Sequence, residues 1–135
     1  MQASGERYMH KVIIALASNH EQLDNMAEAR RRLSRLLVAA RYTPALWTEP
    51  IGHSTSSMYL NQLAEALTDL TATELVCRLK DIELAMHRTE LDRQQQVVRI
   101  DLDLMRYDSE RYHEKDWQRP YIRQLLPYVT MREDR

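Results

Sequence analysis

Cysteine, glycine and phenylalanine are nearly missing from this chain: one, two and none in 135 residues. A single thiol, Cys77, excludes a disulfide framework within the chain. It sits in a helical pattern at an apolar position, and we read it as a buried structural thiol rather than a nucleophile. Two glycines are too few for the glycine-rich phosphate loops of P-loop or Rossmann proteins. Any phosphate chemistry must therefore use side chains and metal. No apolar run reaches the ~20 residues of a membrane span, and residues 1–7 lack the apolar core of a signal peptide. A cytoplasmic protein without a membrane partner is the expectation. The formal net charge of −1 supplies no strong basic field, which argues against nucleic acid as a partner.

What is present suits one folded domain. A hydrophobic share of 44% provides for a real core, and the length fits a single unit. We place it at residues 11–130, after a flexible leader of residues 1–10. Residues 11–17 are a short apolar run, as in a buried central strand. Ser18 or Asn19 then caps a helix over residues 20–40, in which Leu23, Met26, Ala27, Leu33, Leu36 and Leu37 recur at helical spacing. Arg30, Arg31, Arg32 and Arg35 form its wet face. Residues 41–48 read as a second strand and 59–67 as a third. Thr71-Ala72-Thr73-Glu74 is a capping box opening a helix to about residue 88, with Leu75, Leu79, Ile82 and Met86 on its core face. Residues 89–96 and 107–115 read as loops, and residues 116–126 as a short helix interrupted at Pro120.

The stretch from Val97 to Met105 alternates apolar and charged residues and reads as a fourth strand. Successive strand side chains point to opposite faces. Arg99, Asp101 and Asp103 therefore share one face, and Ile100, Leu102 and Leu104 the other. Two adjacent carboxylates repel, so a positive group belongs beside them. Either a divalent cation carrying phosphates or screening arginines on a solvated face would meet that need. The order β-α-β-β-α-β plus a C-terminal helix predicts an α+β, ferredoxin-like antiparallel sheet backed by helices.

Several segments together resemble one family. They are Ile14-Ala15-Leu16-Ala17-Ser18-Asn19, Trp47-Thr48-Glu49-Pro50-Ile51-Gly52, Tyr59-Leu60-Asn61, Ile82-Glu83, Arg88, and Arg99-Ile100-Asp101-Leu102-Asp103-Leu104-Met105. In this order and spacing they are similar to the 6-hydroxymethyl-7,8-dihydropterin pyrophosphokinases of folate biosynthesis. The resemblance implies transfer of the β,γ-diphosphoryl group of ATP to the pterin's hydroxymethyl oxygen, with release of AMP. It implies ATP and a reduced pterin as partners, and two Mg²⁺ ions held by Asp101 and Asp103. It assigns the pterin to Asn61, whose amide offers donor and acceptor together, with Tyr59 and Ile51 walling the ring. Thr48, Glu49 and Pro50 would shape its backbone contacts, and Tyr121 would stack where the family has phenylalanine. Arg88, a phosphate-contacting and catalytic arginine in this likeness, joins Glu83, His113 and Arg119 around the nucleotide. The segments at 52–58 and 89–97 correspond to loops that close over the substrates.

The sequence also departs from that pattern. Ala17 stands where the family has glycine. The family's Trp-Gly-Pro-Arg run is replaced by Gln95-Gln96-Val97-Val98, so Val98 takes the position of an arginine that assists phosphoryl transfer. Arg99 then reads as a catalytic stand-in or as a partner neutralising the aspartates, and Arg93 is another candidate. Two other functions remain at this stage. One is a relative that binds pterin or nucleotide, or another protein, without catalysis. The other is a different two-metal nucleotide enzyme on a ferredoxin-like core.

Overall fold

A computed structural model describes residues 9–50, 57–87 and 89–130. The chain forms one antiparallel sheet with helices on both faces. Its centre is β1 (His10–Ser18), flanked by β4 (Tyr59–Thr68) and β5 (Asp101–Tyr107). Beyond β4 lie β2 (Ala39–Tyr42) and β3 (Leu46–Thr48), and beyond β5 the short β6 (Glu110–Arg111). The helices are α1 (Gln22–Leu36), α2 (Ala72–Ala85), α3 (Glu90–Gln94) and α4 (Pro120–Leu125). This is the expected α+β, ferredoxin-like fold.

The central strand is apolar on both sides because both sides are covered. Val12, Ile14 and Leu16 pack against Met26 and Leu33 of α1 and Leu75, Leu79 and Ile82 of α2. Ile13 and Ala15 point the other way, to Leu63, Met105, Trp117, Ile122 and Leu125. The C-terminal segment thus makes a third layer behind the sheet. Trp117 anchors it by donating its indole N–H to the Tyr112 carbonyl at 3.0 Å.

At α2 the capping box is formed. Glu74 N–H donates to Thr71 Oγ1 at 3.1 Å, and Thr71 N–H donates to the Glu74 carboxylate at 2.9 Å. Thr71→Ala should lower the unfolding free energy by about 1 kcal/mol in urea titrations, the usual worth of such a cap.

Several elements differ from the sequence reading. The second strand is two, β2 and β3, separated around Pro44, which has no N–H for a ladder. Neither Ser18 nor Asn19 caps α1; the cap residue is Glu21, in left-handed backbone and without a side-chain bond. The helix ends at Leu36, since Val38 N–H is taken by the Leu67 carbonyl and the chain enters the sheet. Leu23 is 70% exposed rather than core. Cys77 is exposed, because α2 buries positions 75, 79 and 82 and turns 77 outward. The polar residues 89–96 contain α3, started by a second capping box between Thr89 and Asp92. The last core strand begins at Asp101, not Val97. A hairpin to β6 and a 3-10 turn (Glu114–Gln118) occupy the expected loop at 107–115, and Pro120 opens α4 rather than interrupting a helix. No helix among the described residues is long and apolar enough to cross a membrane.

Candidate active site

The site follows from strand register. Across the sheet, Asn61 of β4 pairs with Ala17 of β1, and Ala17 pairs with Asp101 of β5. One step along, Leu63 pairs with Ala15 and Ala15 with Asp103. Directly opposed residues in antiparallel strands share a face. Asn61, Ala17 and Asp101 therefore form one row, on the face that Trp117 and Ile122 cover further along. The alanine methyl is small, so the middle of the row is low and its two ends are polar. Above it opens a cleft of about 510 Å³.

Three segments wall the cleft. Thr48, Glu49 and Pro50, after β3, stand with Tyr59 at the start of β4. Arg119 and Tyr121 come from the turn into α4. Arg93 of α3, with Gln96, Val97 and Val98, forms the third wall. Register and packing thus gather most of the predicted pterin residues with both aspartates. Ile51 and Arg88, also predicted, lie outside the described residues.

Asn61 is 3% exposed, and its donors are committed to β3. Nδ2 donates to Thr48 Oγ1 at 2.7 Å and to the Leu46 carbonyl at 3.1 Å. Among the described residues nothing donates to its Oδ1, which can accept from a ligand. Burial pushes the Tyr121 phenol up to about 12, with Asp116, Asp103 and Asp101 adding to the rise and Arg119 opposing it. At neutral pH it is a protonated aromatic wall that can donate a hydrogen bond.

The outer edge of β5 is paired by β6 only at Arg106 and Tyr107 among the described residues. Asp101 and Asp103 thus border both the cleft and a second cavity of about 330 Å³ alongside α2. Glu83 and His113, both predicted near the nucleotide, line this second cavity. His113 Nε2 lies 3.9 Å from Asp103 Oδ1. Glu83 is buried, and its carboxylate accepts the Leu102 N–H at 2.7 Å, which fixes the backbone between the two aspartates.

No three His, Cys, Asp or Glu among the described residues converge into a protein-only metal cage. Two half-buried aspartates bordering the cleft nonetheless fit Mg²⁺, which keeps waters and takes the rest of its shell from phosphate oxygens.

Residues 13–133 match the family of 7,8-dihydro-6-hydroxymethylpterin-pyrophosphokinases. The chain belongs to this family. It is 30% identical over 131 residues to a folate synthesis bifunctional protein of Arabidopsis thaliana, a match covering 90% of this chain and 27% of that protein. A second such protein from the same plant, named mitochondrial, is 30% identical over 132 residues, covering 90% of this chain and 23% of its own length. The chain spans about a quarter of the length of these curated relatives. Membership supports a pyrophosphokinase-type role in folate synthesis.

Within the family pattern, this chain's departures have a structural account. Asn19 does not cap a helix; it clamps the substituted run. Its Nδ2 donates to the Gln96 carbonyl at 2.9 Å, its Oδ1 accepts the Val98 N–H at 2.7 Å, and its own N–H donates to the Val98 carbonyl at 2.9 Å. Those bonds hold residues 96–98 beside the end of β1 and keep them out of the ladder. Arg99 consequently lies ahead of the strand and does not line the cleft. Its Nε donates to Asp92 at 3.1 Å. Burial acts against the Asp92 charge, but bonds from Arg99 and Thr89 hold its carboxyl below the usual range. Sequence reasoning missed Asn19's clamp, Asp92, and Asp116, which lines the cleft and accepts from Arg119 Nε at 2.8 Å. The Thr89-Glu90-Leu91-Asp92 spacing was the available signal for Asp92.

Proposed function

We propose that this chain transfers the β,γ-diphosphoryl group of ATP to 6-hydroxymethyl-7,8-dihydropterin, releasing AMP. The observation that carries this reading is the register row, in which Asn61 and Asp101 stand on either side of Ala17 over one cleft. The pterin ring lies between Tyr59 and Tyr121 and presents its edge to Asn61 Oδ1. The phosphates lie over Asp101 and Asp103, with the nucleotide reaching the cavity of Glu83 and His113. Mg²⁺, when bound by the two aspartates, neutralises the phosphate charge that grows during in-line displacement.

The chain's own groups do the rest. Asn61 sets the ring so that the hydroxymethyl oxygen faces the β-phosphorus, a gain of orientation. That oxygen bonds to the β-phosphorus as the bond to the α,β-bridging oxygen breaks, and AMP leaves with the bridging oxygen. The hydroxyl proton passes to solvent. Glu83 keeps Asp101 and Asp103 in place through the Leu102 N–H. Arg119, braced by Asp116, adds a cation at the cleft.

One observation favours a second reading, a relative that binds without turnover: Val98 occupies the family arginine's position and Arg99 is held by Asp92. A coupled assay for AMP, with ATP, Mg²⁺ and the pterin, separates them. The proposal expects AMP formation that depends on the pterin. Pterin binding without AMP supports the second reading instead.

A further inference from the structure

We infer that Arg93 is a guanidinium that meets the phosphate chain in this protein, and that the Asp92–Arg99 pair is the clamp that aims it; this rests on the phosphoryl-transfer reading of the cleft. A polyphosphate entering this cleft meets the carboxylates of Glu49, Asp101, Asp103 and Asp116. Among the described residues, the Lys or Arg side chains lining it are Arg93 and Arg119. Arg119 is already engaged by Asp116 at 2.8 Å. Arg93 touches Glu90 at 3.3 Å, in an i,i+3 pair whose side chains are 56% and 72% exposed. Such a pair is worth little and exchanges readily. Among the described residues, Arg93 is thus the cation that can turn to an incoming phosphate at small cost, and a guanidinium fork suits phosphate oxygens.

The clamp is built around one buried carboxylate. Asp92, with its side chain 6% exposed, accepts from Arg99 Nε at 3.1 Å and from the Thr89 N–H at 3.4 Å. Its backbone carbonyl accepts the Val97 N–H at 2.7 Å. Asp92 and Arg93 are neighbours on a helix of five residues. Fixing Asp92 therefore fixes where Arg93 leaves the backbone. Asn19 holds the far end of the same segment through Gln96 and Val98. A catalytic charge is supplied from α3, while Arg99 serves as a positioning residue and does not face the substrates.

The test is a double-mutant cycle with two readouts. Turnover is followed as AMP release, and affinity for magnesium α,β-methylene-ATP by calorimetry. The methylene analogue is chosen because the bond to be broken joins the α,β-bridging oxygen to the β-phosphorus. Arg93→Ala is expected to lower kcat at least about tenfold and weaken the analogue by a similar factor, with pterin affinity unchanged and Arg93→Lys recovering part of the loss. Arg99→Gln should lower both in the native background and change neither in the Arg93→Ala background, since its effect passes through Arg93. Equal effects of Arg99→Gln in both backgrounds would overturn the clamp. Unchanged analogue affinity and kcat in Arg93→Ala would overturn the assignment of Arg93. If the native protein releases no AMP, the diphosphokinase reading fails separately, and calorimetry alone decides on Arg93. Arg93 is exposed, so its variants fold.

Discussion

Asp101→Ala or Asp103→Ala is expected to lower AMP formation by at least about 10³-fold, because each removes a cation ligand at the point where charge develops. The loss should appear in kcat and in the affinity for magnesium α,β-methylene-ATP. Affinity for the pterin alone should hardly change, since Asn61, Tyr59 and Tyr121 remain. The fold should survive: each aspartate sits at half-buried positions on the open part of β5, beside Ala17 and Ala15. Thermal melting without ligand checks this point. A cooperative melt close to the native temperature, together with lost activity, separates a metal-binding role from a structural one. Full activity in either variant would end the metal assignment.

Asn61→Ala is expected to weaken pterin binding by about 100-fold, the scale set by leaving a buried ligand hydrogen bond unmade. Nucleotide affinity should stay near native. The side chain has two jobs, which a second variant separates. Its Nδ2 ties β4 to Thr48 and the Leu46 carbonyl, while its Oδ1 accepts no bond among the described residues and the residue lines the cleft. Thr48→Val removes one bond of the first kind and leaves Oδ1. It should cost stability of about 1 kcal/mol and far less pterin affinity than Asn61→Ala. Equal losses of affinity in the two variants would mean that Asn61 acts only by holding β3.

Much of this arrangement was legible from the residues. The short apolar run at 11–17 read as a buried central strand, and it is β1, paired on both edges. Thr71 and Glu74 announced the start of α2. The alternation around Asp101 and Asp103 placed both carboxylates on one face, where register then set them across from Ala17 and Ala15. The segment before those aspartates was the part that alternation misread. Val97 to Ile100 continues the strand pattern, yet Asn19, nearly eighty positions away, takes the Val98 backbone instead. Such a partner leaves no trace in local periodicity. Arg99 turned to Asp92 for the same reason: the buried carboxylate that claims it was read as part of a solvated loop. Cys77 shows the reverse case, where one apolar residue on a helix was taken for core although positions 75, 79 and 82 already filled that stripe. Pro44 carried its own warning, since a strand through residues 41–48 had to break at it.

The charge pattern of the wet helix face also held. Arg31 and Arg32 both pair with Glu28 on α1, and Arg30 reaches Gln62 at 2.9 Å. These bonds engage three of the four arginines of the basic cluster locally.

One cleft is expected to hold the pterin at Asn61 and the phosphates at Asp101 and Asp103. A crystal structure with 6-hydroxymethyl-7,8-dihydropterin, Mg²⁺ and α,β-methylene-ATP tests it most directly. A pterin nitrogen should lie within hydrogen-bond distance of Asn61 Oδ1, and Mg²⁺ should join both aspartates to the nucleotide phosphates. A pterin bound away from Asn61, or phosphates bound without Asp101 and Asp103, would contradict it.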